Sequence, residues 1–407
     1  MDLPFAGIRI IDFSWWGVGP MITGHLADYG ADVIKVETGT HVDAIRFAMP
    51  SSAPDHTPGI NRSGWWSQLN HGRRGITLNL KLPEAQEVAR KLIAVADVVN
   101  ENFTTGKIKE FGLGYDDLIT IKPDLIMMSS NIFGQTGPAA RHPGHGGTGE
   151  ALALFSHFRG FPGRGPTPLS GGTAGTDFTS PQLGAAVLIA ALDYRRRTGK
   201  GQLIDLAQLE ATLPYFGPAM LDYTVNGQEG ERIGNRSPWA APHGVFPCAG
   251  EDRWIAIAVE SDDHWEALKR AMDDPEWARD PTLDQVRGRL ACEEMLEARM
   301  TEWTGGFDAV ALMERLQEAG VPAGVAQNAA DLLADPQLNH REHFVYLEHP
   351  EIGQQAYEAR SYRLSRTEGG PMSPGPTLGQ HNEEIFCGLL GMSTQELEDL
   401  KATGAIA

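Results

Sequence analysis

The chain has 407 residues, of which 41% are hydrophobic and 21% are charged, and its formal net charge is −19. This length predicts two or three domain-sized units. The acidic balance argues against nucleic acid or an anionic membrane surface as the main partner. No apolar run approaches the roughly 20 residues that a membrane span requires, and the first residues lack the basic start of a signal peptide.

The cysteines and histidines predict neither a disulfide framework nor a metal site. Cys248, Cys292 and Cys387 are far apart and form no CxxC motif, and His142 and His145 have no Asp, Glu or Cys at ligand spacing. We therefore expect no metal and a reduced, cytoplasmic setting. Residues 60–110 are locally basic, with eight basic and five acidic residues. That region suits a small polyanion, although a mixed solvated surface explains it equally well.

The first 40 residues predict a βαβ unit. "GIRIIDF" (7–13) reads as a strand, "GVGPMITGHLADYG" (17–30) as a helix with Pro20 as its first residue, and "ADVIKVE" (31–37) as a second strand. A strand, a glycine turn, a helix and a strand in this order indicate a parallel sheet and an α/β fold. The pattern continues with strands in 74–80, 97–102 and 123–133, with a helix over 83–96, and with a strand that runs into a helix in 201–216.

Composition changes after residue 222 and suggests a second domain. Residues 226–244 are loop-like, and "VFPCAGEDRWIAIAVES" (245–261) predicts two strands joined by a turn at 250–252. A helical, acidic stretch follows over 263–320, later β structure is expected in 351–365, and Ser393 starts a C-terminal helix. We divide the chain into a large α/β domain (1–222 and 331–407) and an inserted smaller α+β domain (223–330).

Local motifs narrow the chemistry only partly. The turn "GVGPM" lacks the third glycine of the dinucleotide-binding motif, and no P-loop is present, so a structural strand-to-helix turn is favoured over a nucleotide cofactor site. His145, in "RHPGHGGTG", is a candidate base, but a histidine in a glycine-rich loop more often serves as a hydrogen-bonding residue. The pairs Trp15–Trp16 and Trp65–Trp66 stand beside glycine-rich loops and favour an apolar pocket over a purely core role only weakly.

Asp177 lies in "GTDFTSP", directly before a long apolar helix pattern. Ser180 is the expected N-cap of that helix and Pro181 its first residue, so Asp177 would stand three residues before the cap. The positive end of the helix dipole favours an ionised carboxylate there, which suits a nucleophile. From this stretch alone, a purely structural role for Asp177 stays open.

Longer segments together carry a resemblance to a known family. They are "PFAGIRIIDFSWWGVGPMITGHLADYGADVIKVE", "NHGRRGITLNLKLPEA", "ADVVNENFTTG", "RRRTGKGQLIDLAQLEA", "GVPAGVAQNAADLLADPQL" and "LGQHNEEIFCGLLGMSTQELEDLKATGAI". The chain resembles, over nearly its whole length, the class III CoA-transferases, which include formyl-CoA, carnitine and benzylsuccinate CoA-transferases and α-methylacyl-CoA racemases. It looks most similar to the benzylsuccinate type. The resemblance implies a Rossmann-like large domain, a small domain and an interlocked homodimer. It also implies a CoA thioester and a carboxylic acid as substrates, with no tightly bound cofactor.

The resemblance also assigns site residues. Asp177 precedes the "TGKGQ" segment 198–202 as the family's nucleophile does, and it would carry first the acyl group and then CoA, which passes to the acceptor acid. Gly146 and Gly147 are candidate oxyanion donors. Positions that match the family's CoA-binding segments are Gly17, Val18, Leu78, Asn79, Leu80, Lys81, Asn102, Phe103, Thr104 and Lys107.

Three departures and two alternatives accompany this assignment. Where the family often has an arginine after the second strand, this chain has Thr38, and we expect Arg46 to substitute for it. Where the family has a basic residue after the "NF" segment, this chain has Glu110. The segment "GNRSPWAAPHG" stands in place of the glycine-rich loop of formyl-CoA transferases. A racemase would use His145 and Asp177 to move an α-proton, although "GHG" stands where racemases have "GHD". The second alternative is that the chain is one subunit of a heteromeric CoA-transferase, with a paralogous chain as the other subunit.

Overall fold

The computed structural model describes residues 3–167 and 174–406. These residues form two compact units. One takes in the chain up to residue 155, residues 174–227 and the chain from 337 onwards, and the other takes in 156–167 and 228–336. The domain boundaries drawn from the sequence at 222 and 330 stay predictions beside this division.

The first unit is built around a six-stranded sheet. Its strands are β1 (Arg9–Asp12), β2 (Asp32–Glu37), β3 (Arg74–Thr77), β4 (Val98–Glu101), β5 (Ile126–Asn131) and β6 (Leu203–Ala207). They stand in the order β3-β2-β1-β4-β5-β6, and all neighbours run parallel. This is the strand order of the doubly wound, Rossmann-type sheet, which reverses its direction of growth between β1 and β4. The predicted α/β fold with a parallel sheet is confirmed.

Helices cover both faces of this sheet. The helices before residue 228 are α1 (Val18–Ala27), α2 (Gly64–Leu69), α3 (Pro83–Ala94), α4 (Lys107–Glu110), α5 (Tyr115–Leu118), α6 (Gly146–Leu152), α7 (Phe155–Phe158), α8 (Gly175–Thr198), α9 (Gln208–Thr212) and α10 (Gly217–Asn226). Among them α1, α3 and α8 pack on the sheet. Ile11 and Val99 point to a core that includes α3, and Ile10 and Val98 point to a second core that includes α1 and α8. Two covered faces explain why the strands read as continuous apolar runs.

The second unit contains an antiparallel sheet of three strands, β7 (His243–Pro247), β8 (Trp254–Ala258) and β9 (Ala323–Val325). Its helices are α11 (Asp262–Ala271), α12 (Val286–Ala291), α13 (Glu293–Thr304), α14 (Ala309–Ala319) and α15 (Ala329–Ala334). The first two strands and the turn between them were predicted. Their buried side chains form a core of their own with the helices, around Trp265.

The chain then returns to the first unit. It forms α16 (Pro336–His340), the hairpin of β10 (Phe344–His349) and β11 (Gly353–Glu358), a π-helix (Glu384–Leu389) and α17 (Thr394–Ala402). The predicted helix start at Ser393 is confirmed, because its side chain accepts from the N–H of Glu396 in a capping box. Two other helix starts were wrong. Helix α1 begins at Val18, two residues before Pro20, and α8 begins well before Ser180.

Candidate active site

Two loops leave the sheet at the point where its strand order reverses. Strand β1 continues into residues 13–17 and its neighbour β4 into residues 102–104. The loops are tied together, because the N–H of Trp15 donates to Asn102 Oδ1 at 2.8 Å and Asn102 Nδ2 donates to the Trp15 carbonyl at 2.7 Å. In open parallel sheets, ligands bind in the crevice outside the carboxyl ends of the strands at this reversal. The topology therefore identifies the crevice between these loops as the candidate site.

A buried carboxylate fixes the glycine turn after β1. Asp12 accepts from the backbone N–H of Ser14 at 2.9 Å and from Asn100 Nδ2 at 3.0 Å. Burial acts to raise the pKa of Asp12, but the positive charges of Lys35 and Arg73, together with hydrogen bonds from the Ser14 and Thr23 side chains, outweigh it and hold the pKa below its usual value. An ionised carboxylate makes stronger hydrogen bonds than a neutral one, so this turn is held firmly where the chain enters α1.

Trp16, in the same turn, has an unusual backbone. It adopts a left-handed conformation with φ of 59°, which is costly for a bulky residue, and its side chain is 49% exposed. Its N–H donates to both carboxylate oxygens of Asp43, at 3.0 and 3.2 Å. Asp43 is buried, and its Oδ2 lies 3.7 Å from Nζ of the buried Lys35. Burial raises the pKa of Asp43, while Lys35 acts to lower it.

Asp177 lies in the first turn of α8, against two glycines. A Cβ built on Gly146 would lie 2.8 Å from Oδ2 and 3.1 Å from Oδ1 of Asp177. A Cβ built on Gly17 would lie 4.0 Å from the Asp177 Cβ. The Asp177 side chain thus has its Cβ facing Gly17, at the start of α1, and its carboxylate against Gly146, at the start of α6. The structure brings together three residues that the sequence analysis placed in one site.

The pKa of Asp177 is raised from 3.8 to about 6. Burial is the largest cause, and the negative charge of Glu150 adds to it, whereas a hydrogen bond with the Ala174 backbone and the His145 ring act to lower the pKa. From the sequence we expected the helix dipole to favour the ionised form, and the raised pKa corrects that expectation. The cost of removing the charged carboxylate from water exceeds the stabilisation that the helix N-terminus gives to that charge. The group is nevertheless about nine-tenths ionised at pH 7.

The start of α8 explains why Ser180 was a poor guide. Ala174 is the N-cap and has no side-chain acceptor to offer. The N–H of Gly175 donates instead to Oε1 of the buried Glu150, at 2.7 Å. Pro181 lies inside the helix and lacks the N–H that would bond with the carbonyl of Asp177 four residues earlier. Asp177 therefore stands within the helix rather than before it.

His145 caps α6. Its Nδ1 accepts from the N–H of Gly147 at 3.2 Å, and the ring is exposed. In this geometry the lone pair of Nδ1 is occupied by the N–H of Gly147, so this nitrogen is not free to act as a base. The same bond occupies the N–H of Gly147. Of the two glycines considered as oxyanion donors, Gly146 stands nearer the Asp177 carboxylate.

Arg46 does not replace the basic residue missing at Thr38. Its side chain is 1% exposed and its guanidinium group donates to both carboxylate oxygens of Glu37, at 2.9 and 2.6 Å. A further donor reaches Asn61 Oδ1 at 3.1 Å, and the group lies 3.7 Å from the ring centroid of Trp66. Trp66 is itself fully buried. These residues form part of the core, so the expectation that Arg46 binds CoA is corrected.

The other positions matched to CoA-binding segments differ in exposure. Val18 and Leu78 are buried, at 3% and 2% exposed, so only their backbone can line the site. Asn79, Leu80, Asn102 and Phe103 are partly exposed, and Lys81, Thr104 and Lys107 are exposed. Nζ of Lys107 lies 2.6 Å from Glu110. The exposed lysines follow β3 and β4 at the same edge of the sheet as the candidate crevice.

Sequence reasoning missed Lys35, Asp43 and Glu101. Lys35 was hidden in an apolar strand pattern, where a lone lysine signals a buried partner. Glu101, at the end of β4, is 2% exposed. Burial raises its pKa to about 7, against the lowering effect of hydrogen bonds from the Ser129 hydroxyl and the Phe103 N–H.

Residues 3–167 and 174–406 lack two features. No helix there is long and apolar enough to cross a membrane, and no group of three or more His, Cys, Asp or Glu side chains there is placed to hold a metal ion.

Comparisons with known proteins agree with one another. A model of CoA-transferase family III matches residues 5–382. A succinyl-CoA–D-citramalate CoA-transferase of Chloroflexus aurantiacus is 34% identical over 403 residues, covering 99% of this chain and 98% of that protein. The alpha subunit of a succinyl-CoA–L-malate CoA-transferase of the same species is 33% identical, covering 98% and 92%.

Among solved structures, a CaiB/BaiF family protein from Brucella suis superposes with a TM-score of 0.87 and 29% identity, covering 96% of this chain and 100% of that one. Matches of this extent in sequence and in fold show the family directly. The chain belongs to CoA-transferase family III and is an enzyme of that family.

Proposed function

We propose that the protein transfers CoA from an acyl-CoA to a carboxylic acid through covalent intermediates on Asp177. The observation that carries this proposal is the position of Asp177, whose Cβ faces Gly17 at the sheet reversal and whose carboxylate lies against the backbone of Gly146. A carboxylate with a pKa of about 6 is more basic than an ordinary aspartate and still ionised at neutral pH, which suits a nucleophile.

The proposed reaction has four steps. A carboxylate oxygen of Asp177 attacks the donor thioester, which gives a mixed anhydride and releases the CoA thiolate. The thiolate attacks the aspartyl carbonyl of that anhydride, which forms an aspartyl-CoA thioester and releases the donor acid with one former Asp177 oxygen. The acceptor carboxylate attacks this thioester and again releases the thiolate, which then attacks the acceptor carbonyl. The new acyl-CoA leaves, and Asp177 keeps one oxygen that came from the acceptor.

Each step passes through a tetrahedral oxyanion, which backbone N–H donors stabilise. We assign this role to the N–H of Gly146, at the start of α6. For CoA we propose the edge of the sheet formed by the ends of β1, β3 and β4. Gly17 and Val18 would contribute backbone, Leu78 to Lys81 and Asn102 to Thr104 would flank the nucleotide, and Lys107 would face its phosphates.

Relatives that use succinyl-CoA with hydroxylated dicarboxylic acids support succinyl-CoA as donor and a small dicarboxylic acid as acceptor. They favour a polar acceptor over one that would suit the apolar pocket weakly favoured by the tryptophan pairs. Trp66 does not line a pocket, since it is buried against Arg46.

We further propose that two chains associate. Helix α10 has no buried residue although it is rich in apolar side chains. Met220, Leu221, Tyr223 and Val225 are 38%, 64%, 57% and 76% exposed, and such a contiguous apolar surface is typical of an interface. An interlocked homodimer would cover it. Because one relative is named as an alpha subunit, a paralogous partner is the alternative. The oligomer and activity of the protein purified alone distinguish the two.

The racemase alternative would move an α-proton between His145 and Asp177. It is the weaker candidate, since Nδ1 of His145 is already an acceptor within the cap of α6. Incubating the protein with an acyl-CoA in heavy water, with no acceptor acid, would wash deuterium into the α-position only if this alternative were right.

The direct test of the proposal measures exchange between succinyl-CoA and isotopically labelled succinate. Asp177→Ala should abolish exchange and leave the fold intact by circular dichroism. Asp193→Ala is the matched control, because Asp193 lies on the same helix and pairs only with Arg196 and Arg197 among the ion pairs of the described residues. It should keep activity within about threefold. Near-normal exchange by Asp177→Ala would reject the mechanism.

A further inference from the structure

The turn that carries Gly17 to the side of Asp177 depends on a residue in an unfavourable conformation. Trp16 precedes Gly17 and has φ of 59°, a region that costs an L-residue the equivalent of roughly five- to thirtyfold in population. Nothing in tryptophan favours this conformation, since it lacks the short polar side chain that helps Asn or Asp to adopt it. Something outside the turn must therefore hold it.

Two buried charges provide that restraint. Asp43 accepts the N–H of Trp16 with both oxygens, at 3.0 and 3.2 Å, and also accepts the N–H of Ile45 at 3.2 Å. Lys35 stands 3.7 Å from Asp43 and also donates from Nζ to the carbonyl of Ser14, two residues before Trp16. Both charged side chains are wholly buried. One end of this pair thus holds the N–H of Trp16, and the other end holds the carbonyl of Ser14.

The cost of burying these charges indicates a purpose other than stability. A buried ion pair contributes little net stability because its desolvation offsets its attraction. It does, however, fix hydrogen-bond geometry in an environment where water cannot compete. Here the geometry that it fixes is that of residues 14–17, which end at Gly17, where a Cβ would lie 4.0 Å from the Asp177 Cβ.

We propose that Lys35 and Asp43 are positioning residues for catalysis: they hold Trp16 in its left-handed conformation and so keep the Gly17 backbone beside the Asp177 nucleophile. This inference rests on the proposed function of Asp177. Neither charged group touches the substrate. Loss of Asp43 releases the turn to ordinary backbone conformations, and the crevice beside Asp177 then changes shape.

The test compares two replacements of Trp16, each with and without Asp43. Trp16→Ala and Trp16→Gly both remove the indole ring, but only alanine retains the cost of a left-handed L-residue. Asp43→Ala should therefore lower the rate of exchange between succinyl-CoA and labelled succinate in both backgrounds, but by different factors. The factor in the Trp16→Ala background should be roughly five to thirty times the factor in the Trp16→Gly background. General destabilisation by the unpaired Lys35 is common to both backgrounds and cancels from this ratio.

Three further measurements separate positioning from simple structural damage. Asp43→Asn keeps an oxygen that can accept from the Trp16 N–H, so it should restore most of the rate lost in Asp43→Ala. The loss should appear in kcat more than in KM, and the acid limb of the pH profile should stay near pH 6, because Asp177 still titrates there. Asp32→Asn, at the opposite end of β2, removes a charge paired with Arg9 and Arg74 and should lower Tm without changing kcat.

Equal losses in the alanine and glycine backgrounds would overturn the proposal, as would failure of Asp43→Asn to restore the rate. If Asp43→Ala does not fold, Asp43→Ser, which lacks the carboxyl group, takes its place in the same comparison. The role of Asp177 is tested apart from this, by hydroxylamine trapping in the wild-type protein. If Asp177 forms a hydroxamate but the rate losses are equal in the alanine and glycine backgrounds, only the positioning role of Lys35 and Asp43 is rejected. If the rate losses are unequal but no hydroxamate forms, only the role of Asp177 as nucleophile is rejected.

Discussion

Replacing Gly146 by alanine should block the reaction without unfolding the protein. The new Cβ would lie 2.4 Å from the Cβ of Ala174 and 2.8 Å from Asp177 Oδ2. Ala174 is buried and is the N-cap of α8, so no rotation of a side chain can relieve the first contact. Either α6 or the start of α8 must move, and the carboxylate moves with it.

The size of the effect follows from these distances. Overpacking of this kind costs about 1–3 kcal/mol, and a displacement of about 1 Å in an active site can cost about a hundredfold in rate. We expect kcat for succinyl-CoA and succinate exchange to fall about 10- to 100-fold in Gly146→Ala. Tm should fall by only a few degrees, because the site lies at a helix end.

Gly147→Ala is the matched control. Its Cβ would meet only the exposed ring of His145, at 3.1 and 3.4 Å, and that ring can shift by a few tenths of an ångström. Both substitutions replace glycine by alanine in the same helix, so their effects on chain entropy are alike. We expect Gly147→Ala to stay within about threefold of wild type. Equal rates for the two variants would refute the claim that the position of Gly146, beside Asp177, cannot accommodate a side chain.

Three other predictions concern the titrating groups. Because Asp177 reacts as the anion and its pKa is about 6, kcat/KM should rise with pH through about 6. Glu150→Gln removes a negative charge that raises this pKa, so it should move this acid limb of the pH profile to lower pH. An unmoved acid limb would assign the titration to a group other than Asp177. Burial raises the pKa of Glu101 to about 7, so the folded protein binds a proton more tightly than the unfolded chain and stability falls as pH rises from about 4.5 to 7. Glu101→Gln should therefore be more stable than wild type by ~1–3 kcal/mol at pH 8 in urea unfolding and nearly equal at pH 5, and a variant less stable at pH 8 would contradict the burial argument. His145→Ala should lose the cap of α6, worth about 1 kcal/mol, while exchange falls less than about tenfold; complete loss of exchange would indicate a chemical role for the ring.

The parallel sheet was predictable because its strands carry their own signals. Apolar, β-branched runs such as "ADVIKVE" and "RGITLNL" lie between glycine turns and helices, and the structure has β2 and β3 there. The strand order was not accessible from spacing, since it depends on which helices cover which face. The hairpin partner β10 was also missed: "FVYLEH" is short and is followed by "PEIG", and its strand character comes from pairing with β11.

In the candidate site, too, features set by neighbouring residues were predictable from the sequence, and features set by residues distant in the chain were not. The importance of Asp177 followed from family resemblance, yet its helix was placed too late, because Ser180 and Pro181 looked like a start. The true start is satisfied from a distance, by Glu150 accepting the N–H of Gly175. Arg46 was misjudged for a related reason, since an arginine in a loop gives no sign that it will pair with a buried glutamate such as Glu37.

The most direct measurement of the central claim follows oxygen. Exchange between unlabelled succinyl-CoA and ¹⁸O-labelled succinate passes, in the proposed reaction, through an anhydride from which Asp177 retains one acceptor oxygen. Mass spectrometry of the Asp177 peptide after turnover should show gain of one and then two ¹⁸O atoms, with the Asp193 region of the chain unlabelled. Exchange of CoA with no label in Asp177 would contradict the account.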